Sequence, residues 1–256
     1  MSRVDVEEYD HVHDCITIDE VRWILRYCRR GSPYYTYFLL RATTGVRGSE
    51  ILNWTINHFT PDLKSVSYRV DKPAQRLNRH GEEVVRHKHR IVRIDDWVIG
   101  ELRTYFDTFF GNNSGVYQSP FGDGKLFPMK NNKIVISFWY KLRRRMEKAG
   151  MNSFRLWKLY KRPNRNVSVF VLRPHIFRHF AASVMYYRLN KDIKATQEWI
   201  KHEDSKTTSA YIHSAESLNS TEEELKGSWA AILDLPEAQE NLSSFIAPEQ
   251  TPLTAF

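Results

Sequence analysis

Apolar residues recur along most of this chain at helical spacing, with one clear change to a period of two. Behind Thr17, the residues Ile18, Val21, Leu25 and Cys28 share one face, and Thr17 with Glu20 has capping-box spacing, so a helix is predicted to start there and end at Gly31. Ser32 caps a second helix with Pro33 in its first turn and the run from Tyr34 to Leu40 as its core. Gly45 breaks that helix, and Ser49-Glu50 opens a third carrying Ile51, Leu52 and Trp54. The period then changes. Ser65 to Val70 reads as a strand and so does Arg90 to Ile94, a β-hairpin with a long, basic, Gly-containing connection.

Helical spacing resumes from Asp96 to Phe110, followed by a Gly-, Asn- and Ser-rich stretch, 111–125, predicted as a surface loop. Another helix is predicted from Ile134 to Ala149, stopped by Gly150, and the basic stretch 151–168 shows no clear periodicity. Pro174 opens a helix to Leu189, and further helices are predicted over Asp192–His202 and Ser205–Ala215. Ser220 with Glu223, or Thr221 with Glu224, offers a capping box for a last short helix through Leu233, and the tail beyond Pro236 reads as poorly ordered. The class expected is α+β, mainly helical, with one small antiparallel sheet.

Composition narrows the function. The 256 residues are 41% hydrophobic and 27% charged, ordinary values for a folded chain. No apolar run approaches membrane-spanning length, and the N-terminus lacks a signal-peptide pattern. Cys15 and Cys28 fit no disulfide or metal framework, so a cytoplasmic, reducing location is expected, nucleoid-associated in a prokaryotic host. The first 211 residues carry 37 bases and 22 acids, whereas the tail carries 8 acids against Lys226 alone. A body that basic points to a polyanion, most simply nucleic acid.

Three segments carry candidate chemistry. TGVRGSEIL (44–52) sets Arg47 between Gly45 and Gly48, HIFRHF (175–180) puts His175 and Arg178 three apart on one helical face, and WIKHEDSKTTSAYIH (199–213) places His202 nine residues before Tyr211. Each alone is weak, and each has a bland alternative: a packing Tyr, a surface Arg, a His at a helix end. Their order and spacing together resemble the tyrosine recombinases of the phage integrase family, over roughly residues 17–215. TIDEVRWIL is similar to that family's opening helix, and the hairpin falls where the family has one.

The resemblance implies a site-specific recombinase that cleaves and rejoins DNA through a 3′-phosphotyrosine on Tyr211, without metal, ATP or other cofactor. Arg47 and Arg178 are expected to clamp the phosphate, because a guanidinium stays charged and grips two oxygens at once. His175 and His202 would bond the phosphate and manage the tyrosine proton. The family also places a general-acid lysine in the hairpin. Lys72 at the end of the first strand is favoured, with Lys88 just before the second as the alternative. His175 and His179 form an i, i+4 pair able to bind zinc, but without a third ligand His179 is read as structural support.

Residues 64–93 hold nine bases against three acids, and 141–165 hold ten against Glu147. Arg69, Arg76, Arg79, Arg86, Arg90, Arg143, Arg144 and Arg145 are therefore candidates for DNA-backbone contact. Expected partners are double-stranded DNA with a specific recombination site and further copies of the chain, tetrameric on DNA and monomeric in free solution. The organisation expected is a polar lead-in (1–16), the catalytic domain (17–215) and an acidic tail (216–256) whose Leu225, Trp229, Ile232 and Leu233 would dock on a neighbouring protomer. Only sixteen residues precede the first helix, so a catalytic-domain fragment is expected, with archaeal or viral mobile elements as its home. Alternative readings are a type IB topoisomerase-like enzyme and a DNA-binding module that has lost catalysis.

Overall fold

The computed structural model describes residues 16–70, 74–77, 83–86, 89–113, 116–129, 131–150, 157–162, 165–170, 174–202 and 205–233. Helix α1 (Ile18–Tyr27) begins at the expected capping box: Thr17 Oγ1 accepts from Glu20 N at 3.2 Å, and Glu20 Oε2 accepts from Thr17 N at 2.7 Å. Helix α2 (Pro33–Thr44), capped by Ser32, is buried along almost all its length, as suits a helix apolar on most sides. Gly45 ends it at φ 63°, a left-handed conformation that glycine adopts without strain. Helix α3 (Gly48–Leu52) follows at once.

Strand β1 (Ser65–Arg69) turns Val66 and Tyr68 inward and Ser67 and Arg69 outward. It pairs antiparallel with β4 (His89–Arg93), the predicted hairpin. The connection between them adds a second ladder, β2 (Ala74–Leu77) with β3 (Glu83–Arg86). Helix α4 (Asp96–Phe109) comes next. The stretch predicted as a plain loop contains the two-residue ladder β5 (Asn112–Asn113) with β6 (Val116–Tyr117) and a 3-10 turn at Gly122–Gly124. Helix α5 (Asn132–Lys148) is followed by a further hairpin, β7 (Trp157–Arg162) with β8 (Arg165–Phe170), in the basic stretch that showed no helical period. The described residues thus hold four separate two-stranded ladders rather than one sheet.

Helix α6 (Ile176–Arg188) packs against α2 through stacked Phe38 and Phe177, ring centroids 5.2 Å apart. Helices α7 (Ile193–Ile200) and α8 (Ser205–Ser209) complete the region around it. Helix α8 stops at Ser209 instead of running to Ala215. The backbone beyond it turns, Tyr211 N bonding Thr208 O at 3.0 Å, and Ser183 of α6 takes the next groups: its Oγ donates to Tyr211 O at 3.2 Å and accepts from His213 N at 2.9 Å.

The last helical segment is two pieces broken at Gly227, α9 (Glu222–Lys226) and α10 (Trp229–Leu233). Of the two capping boxes considered, Thr221 with Glu224 is the one formed. Leu225, Trp229, Ile232 and Leu233 are buried, with α9 against α6 and α10 against α1 and α4 of the same chain. Arg22 of α1 reaches across to donate to Ile232 O at 2.8 Å. Among the described residues no helix is long and apolar enough to cross a membrane.

Candidate active site

The α2–α6 packing sets the start of α6 beside the turn after α2, and Arg178 in α6's first turn joins the two. Its side chain is 1% exposed. Nη1 donates to Gly45 O, Nη2 to Ile200 O at 2.8 Å, and Nε to His202 Nε2 at 3.3 Å. Both carbonyls belong to helix C-terminal turns, which carry partial negative charge, so a buried cation is accommodated there. A guanidinium has five N–H groups. Among the described residues three are engaged, leaving one on each Nη for a ligand.

His175 and Tyr211 meet across the same space. Tyr211 Oη lies 2.5 Å from His175 Nε2, with the two rings edge to face at 5.5 Å between centroids. A neutral His175 with its proton on Nδ1 accepts the phenol O–H at Nε2. The Tyr211 ring stacks on His179 at 3.9 Å, 13° from parallel, and His202 stands edge-on to it at 4.6 Å. His179 Nδ1 is 3.3 Å from His213 Nε2, and His202 Nδ1 is 3.1 Å from the buried Thr208 hydroxyl. The phenol is therefore held on three sides by imidazoles, while the Ser183 hydroxyl fixes its backbone.

Arg47 completes one edge. It is partly exposed and bonds the buried Glu50 at 3.1 Å. The other Glu50 oxygen accepts from Tyr68 Oη at 2.8 Å and lies 3.6 Å from Arg90 Nη1. Arg90, a candidate DNA-backbone residue, is mostly covered, and its Nη2 donates to Lys201 O at 3.2 Å, so it forms part of the site wall. Arg69, Arg144 and Arg145 are exposed and Arg143 is half-buried. Arg76 and Arg86 lie on β2 and β3, and Arg79, Lys72 and Lys88 lie outside the described residues. Ser183, His213, Glu50 and Thr208 were given no role by sequence reasoning. Among the described residues no group of three or more His, Cys, Asp or Glu is placed to hold a metal ion.

The charge of the site is lopsided. Burial, then the neighbouring Arg47, brings the Arg178 guanidinium down to about 10, still cationic at neutral pH. Burial, then nearby Arg41, Arg178 and Arg47, pushes His175 down to about 4. Burial, then Arg178, does the same to His202, also to about 4. Burial, then His213, brings His179 to about 3.

All three imidazoles are thus neutral near pH 7, and the unfolded chain takes up their protons near the ordinary value of about 6.5. Below that pH the unfolded state binds more protons than the folded one, so the contribution is complete above about 6.5 and lost as pH falls through about 4. Between pH 6.5 and 5, before most carboxylates titrate, the melting temperature is expected to fall by about 3–6 °C for each imidazole that stays neutral in the fold. His179→Phe, which keeps the stack on Tyr211, should flatten part of that fall. A melting temperature constant over this window would contradict it.

A family model described as the Phage integrase family matches residues 14–217. No curated protein matches the chain. Among solved structures the chain is similar to the XerA recombinase, with 20% identity and a TM-score of 0.52 over 84% of this chain and 64% of that one. It is also similar to the Tn1549 transposon integrase in complex with circular intermediate DNA, with 14% identity and a TM-score of 0.50 over 82% of this chain and 64% of that one. A complex of the same integrase with transposon right end DNA gives 14% identity and a TM-score of 0.50 over 84% and 66%. At these identities the likeness is one of fold, and the chain spans less than two thirds of the length of each.

Proposed function

Since the chain belongs to the phage integrase family, we propose that it is a site-specific DNA recombinase whose nucleophile is Tyr211. The observation that carries this reading is the 2.5 Å contact between Tyr211 Oη and His175 Nε2, made beside the buried Arg178.

In the proposed reaction Tyr211 Oη attacks the scissile phosphorus as its proton passes to His175 Nε2, which is neutral and hence free to accept it. The phosphorus–5′-oxygen bond breaks, leaving a 3′-phosphotyrosine. The departing 5′-oxygen takes a proton from the hairpin lysine, Lys72 in preference to Lys88. Rejoining reverses each step: a 5′-hydroxyl of the partner strand attacks, the phosphotyrosine bond breaks and the proton returns to Tyr211. One phosphodiester is exchanged for another through an intermediate of similar energy, so no ATP, metal or other cofactor enters. The free N–H groups of Arg178 and the exposed face of Arg47 hold the non-bridging oxygens, on which charge gathers in the transition state.

The partner is double-stranded DNA carrying a specific site, with Arg69, Arg144 and Arg145 contacting backbone phosphates. Assembly into a tetramer on DNA from free monomers belongs to the same reading. Docking of the tail on a neighbouring protomer belongs to the same reading, although in the single chain the apolar face of α9 and α10 is covered by its own domain.

Covalent trapping tests the reading. Labelled duplexes from the DNA flanking the gene, nicked to prevent religation, are incubated with the protein in EDTA and run on a denaturing gel. A DNA-linked protein band is expected. DNA binding with no such band, from this chain and from a longer form, would sink the enzyme reading in favour of a binding module.

A further inference from the structure

Arg41, in the last turn of α2, is 4% exposed. An arginine keeps its proton at any ordinary pH, and a buried charge without a partner costs several kcal/mol, so buried arginines normally sit against carboxylates. Among the described residues Arg41 has no such partner. Its Nη1 donates to Tyr37 Oη at 3.1 Å, its Nε is buried with no acceptor, and its Cζ lies 5.6 Å from the Tyr37 ring centre and 6.0 Å from that of Phe177. The nearby carboxylate, Glu50, is engaged by Arg47, Tyr68 and Arg90.

The position of the guanidinium is also specific. It lies against the α-carbon of Gly48, where a Cβ would come within 2.6 Å of Nη1 and 2.3 Å of Tyr37 Oη. That glycine adjoins Arg47, and Phe177 stands two residues after His175. The side chain therefore lies between the Arg47 turn and the start of α6, behind the space that Arg47, Arg178 and His175 border.

We propose that Arg41 is a third guanidinium of the phosphate site, buried without a protein carboxylate so that the bound phosphate serves as its counter-ion. The anion-binding part stands on this geometry, whereas its role toward a scissile phosphate rests on the recombinase reading. In the free protein Arg41 bears on His175: among charged neighbours it is the foremost in keeping that imidazole neutral, ahead of Arg178 and Arg47. A phosphodiester entering the site meets three guanidiniums, of which, among the described residues, Arg47 alone is ion-paired, to Glu50. Electrostatic stabilisation of this kind is strong because the donor is already in place and screened from water.

The test compares wild type with Arg41→Met and Arg41→Lys by thermal melting in sodium chloride and in sodium sulfate at equal ionic strength. In chloride Arg41→Met is expected to melt at or above wild type, because an uncompensated buried charge has been replaced by an apolar side chain of similar length. In sulfate wild type should rise, Arg41→Lys should rise nearly as far, and Arg41→Met should gain less than half as much. Covalent trapping on nicked duplex should then slow about tenfold to a hundredfold in Arg41→Met.

The acid limb of the trapping pH profile should also move to higher pH in Arg41→Met and stay in place in Arg41→Lys. The groups facing His175 that set this limb are Arg41 from α2, Arg47 ahead of α3, Arg178 and His179 on α6, His202 after α7 and Tyr211 after α8. Equal sulfate gains for wild type and Arg41→Met would overturn the proposal. So would an Arg41→Met protein melting far below wild type in chloride, because the charge would then already have a protein counter-ion. If wild type responds to sulfate yet forms no covalent product, the recombinase reading fails while the assignment of Arg41 to an anion site is judged by melting alone.

Discussion

Tyr211→Phe is expected to abolish covalent DNA linkage, by at least about a thousandfold, while leaving DNA binding within about twofold of wild type. The substitution removes one oxygen from a ring whose other contacts survive. The stack on His179 and the edge contacts of His175 and His202 are made by ring carbons, and the backbone is held by Ser183. The loss should therefore appear in chemistry and not in melting temperature or affinity, both measured on the same preparation. A Phe variant that still linked to DNA would show that another residue is the nucleophile.

Substitutions at Arg178 should cost both stability and chemistry. Alanine there leaves the buried carbonyls of Gly45 and Ile200 without a donor and removes the partner of His202 Nε2. Each buried acceptor left unpaired costs about 1–3 kcal/mol, so Arg178→Ala is expected to lose about 2–5 kcal/mol in urea unfolding. Lysine restores the charge but concentrates its donors at one point, and it cannot serve two carbonyls and an imidazole in three directions. Arg178→Lys should accordingly recover much of the stability and still cleave about a hundredfold more slowly. If Arg178→Ala unfolded like wild type, the bonding described here would not be what holds the α2 turn to α6 and α7.

The helices were legible in the chain because their ends are written locally. Thr17 with Glu20, Ser32 with Pro33, and Gly45 each act within one turn of themselves, and the structure forms all three boundaries. The hairpin of β7 and β8 was missed although Val167 and Val169 alternate, because Lys158, Lys161 and Arg162 interrupt the apolar period of β7 and left the stretch reading as merely basic. The end of α8 was unreadable for a different reason. It is set by Ser183, twenty-eight residues before Tyr211, whose hydroxyl claims backbone that a longer helix would have used.

The site divides in the same way. Arg47, His175, Arg178, His202 and Tyr211 were found through their order and spacing, and the fold brings them around one space. Glu50 and Arg41 escaped, since a single polar residue on an apolar helix has no spacing to betray it and only the packing shows what it faces.

The bond from Arg22 to Ile232 O joins residues 210 apart in sequence. At a synthesis rate of about 5–20 residues per second, α1 waits roughly 10–40 s after it is made for α10 to arrive. Through that interval the apolar face meant for Trp229, Ile232 and Leu233 has no cover of its own. Nascent chains stalled short of residue 229 should accordingly remain bound by chaperones, and release should come as one late step when α10 closes over α1.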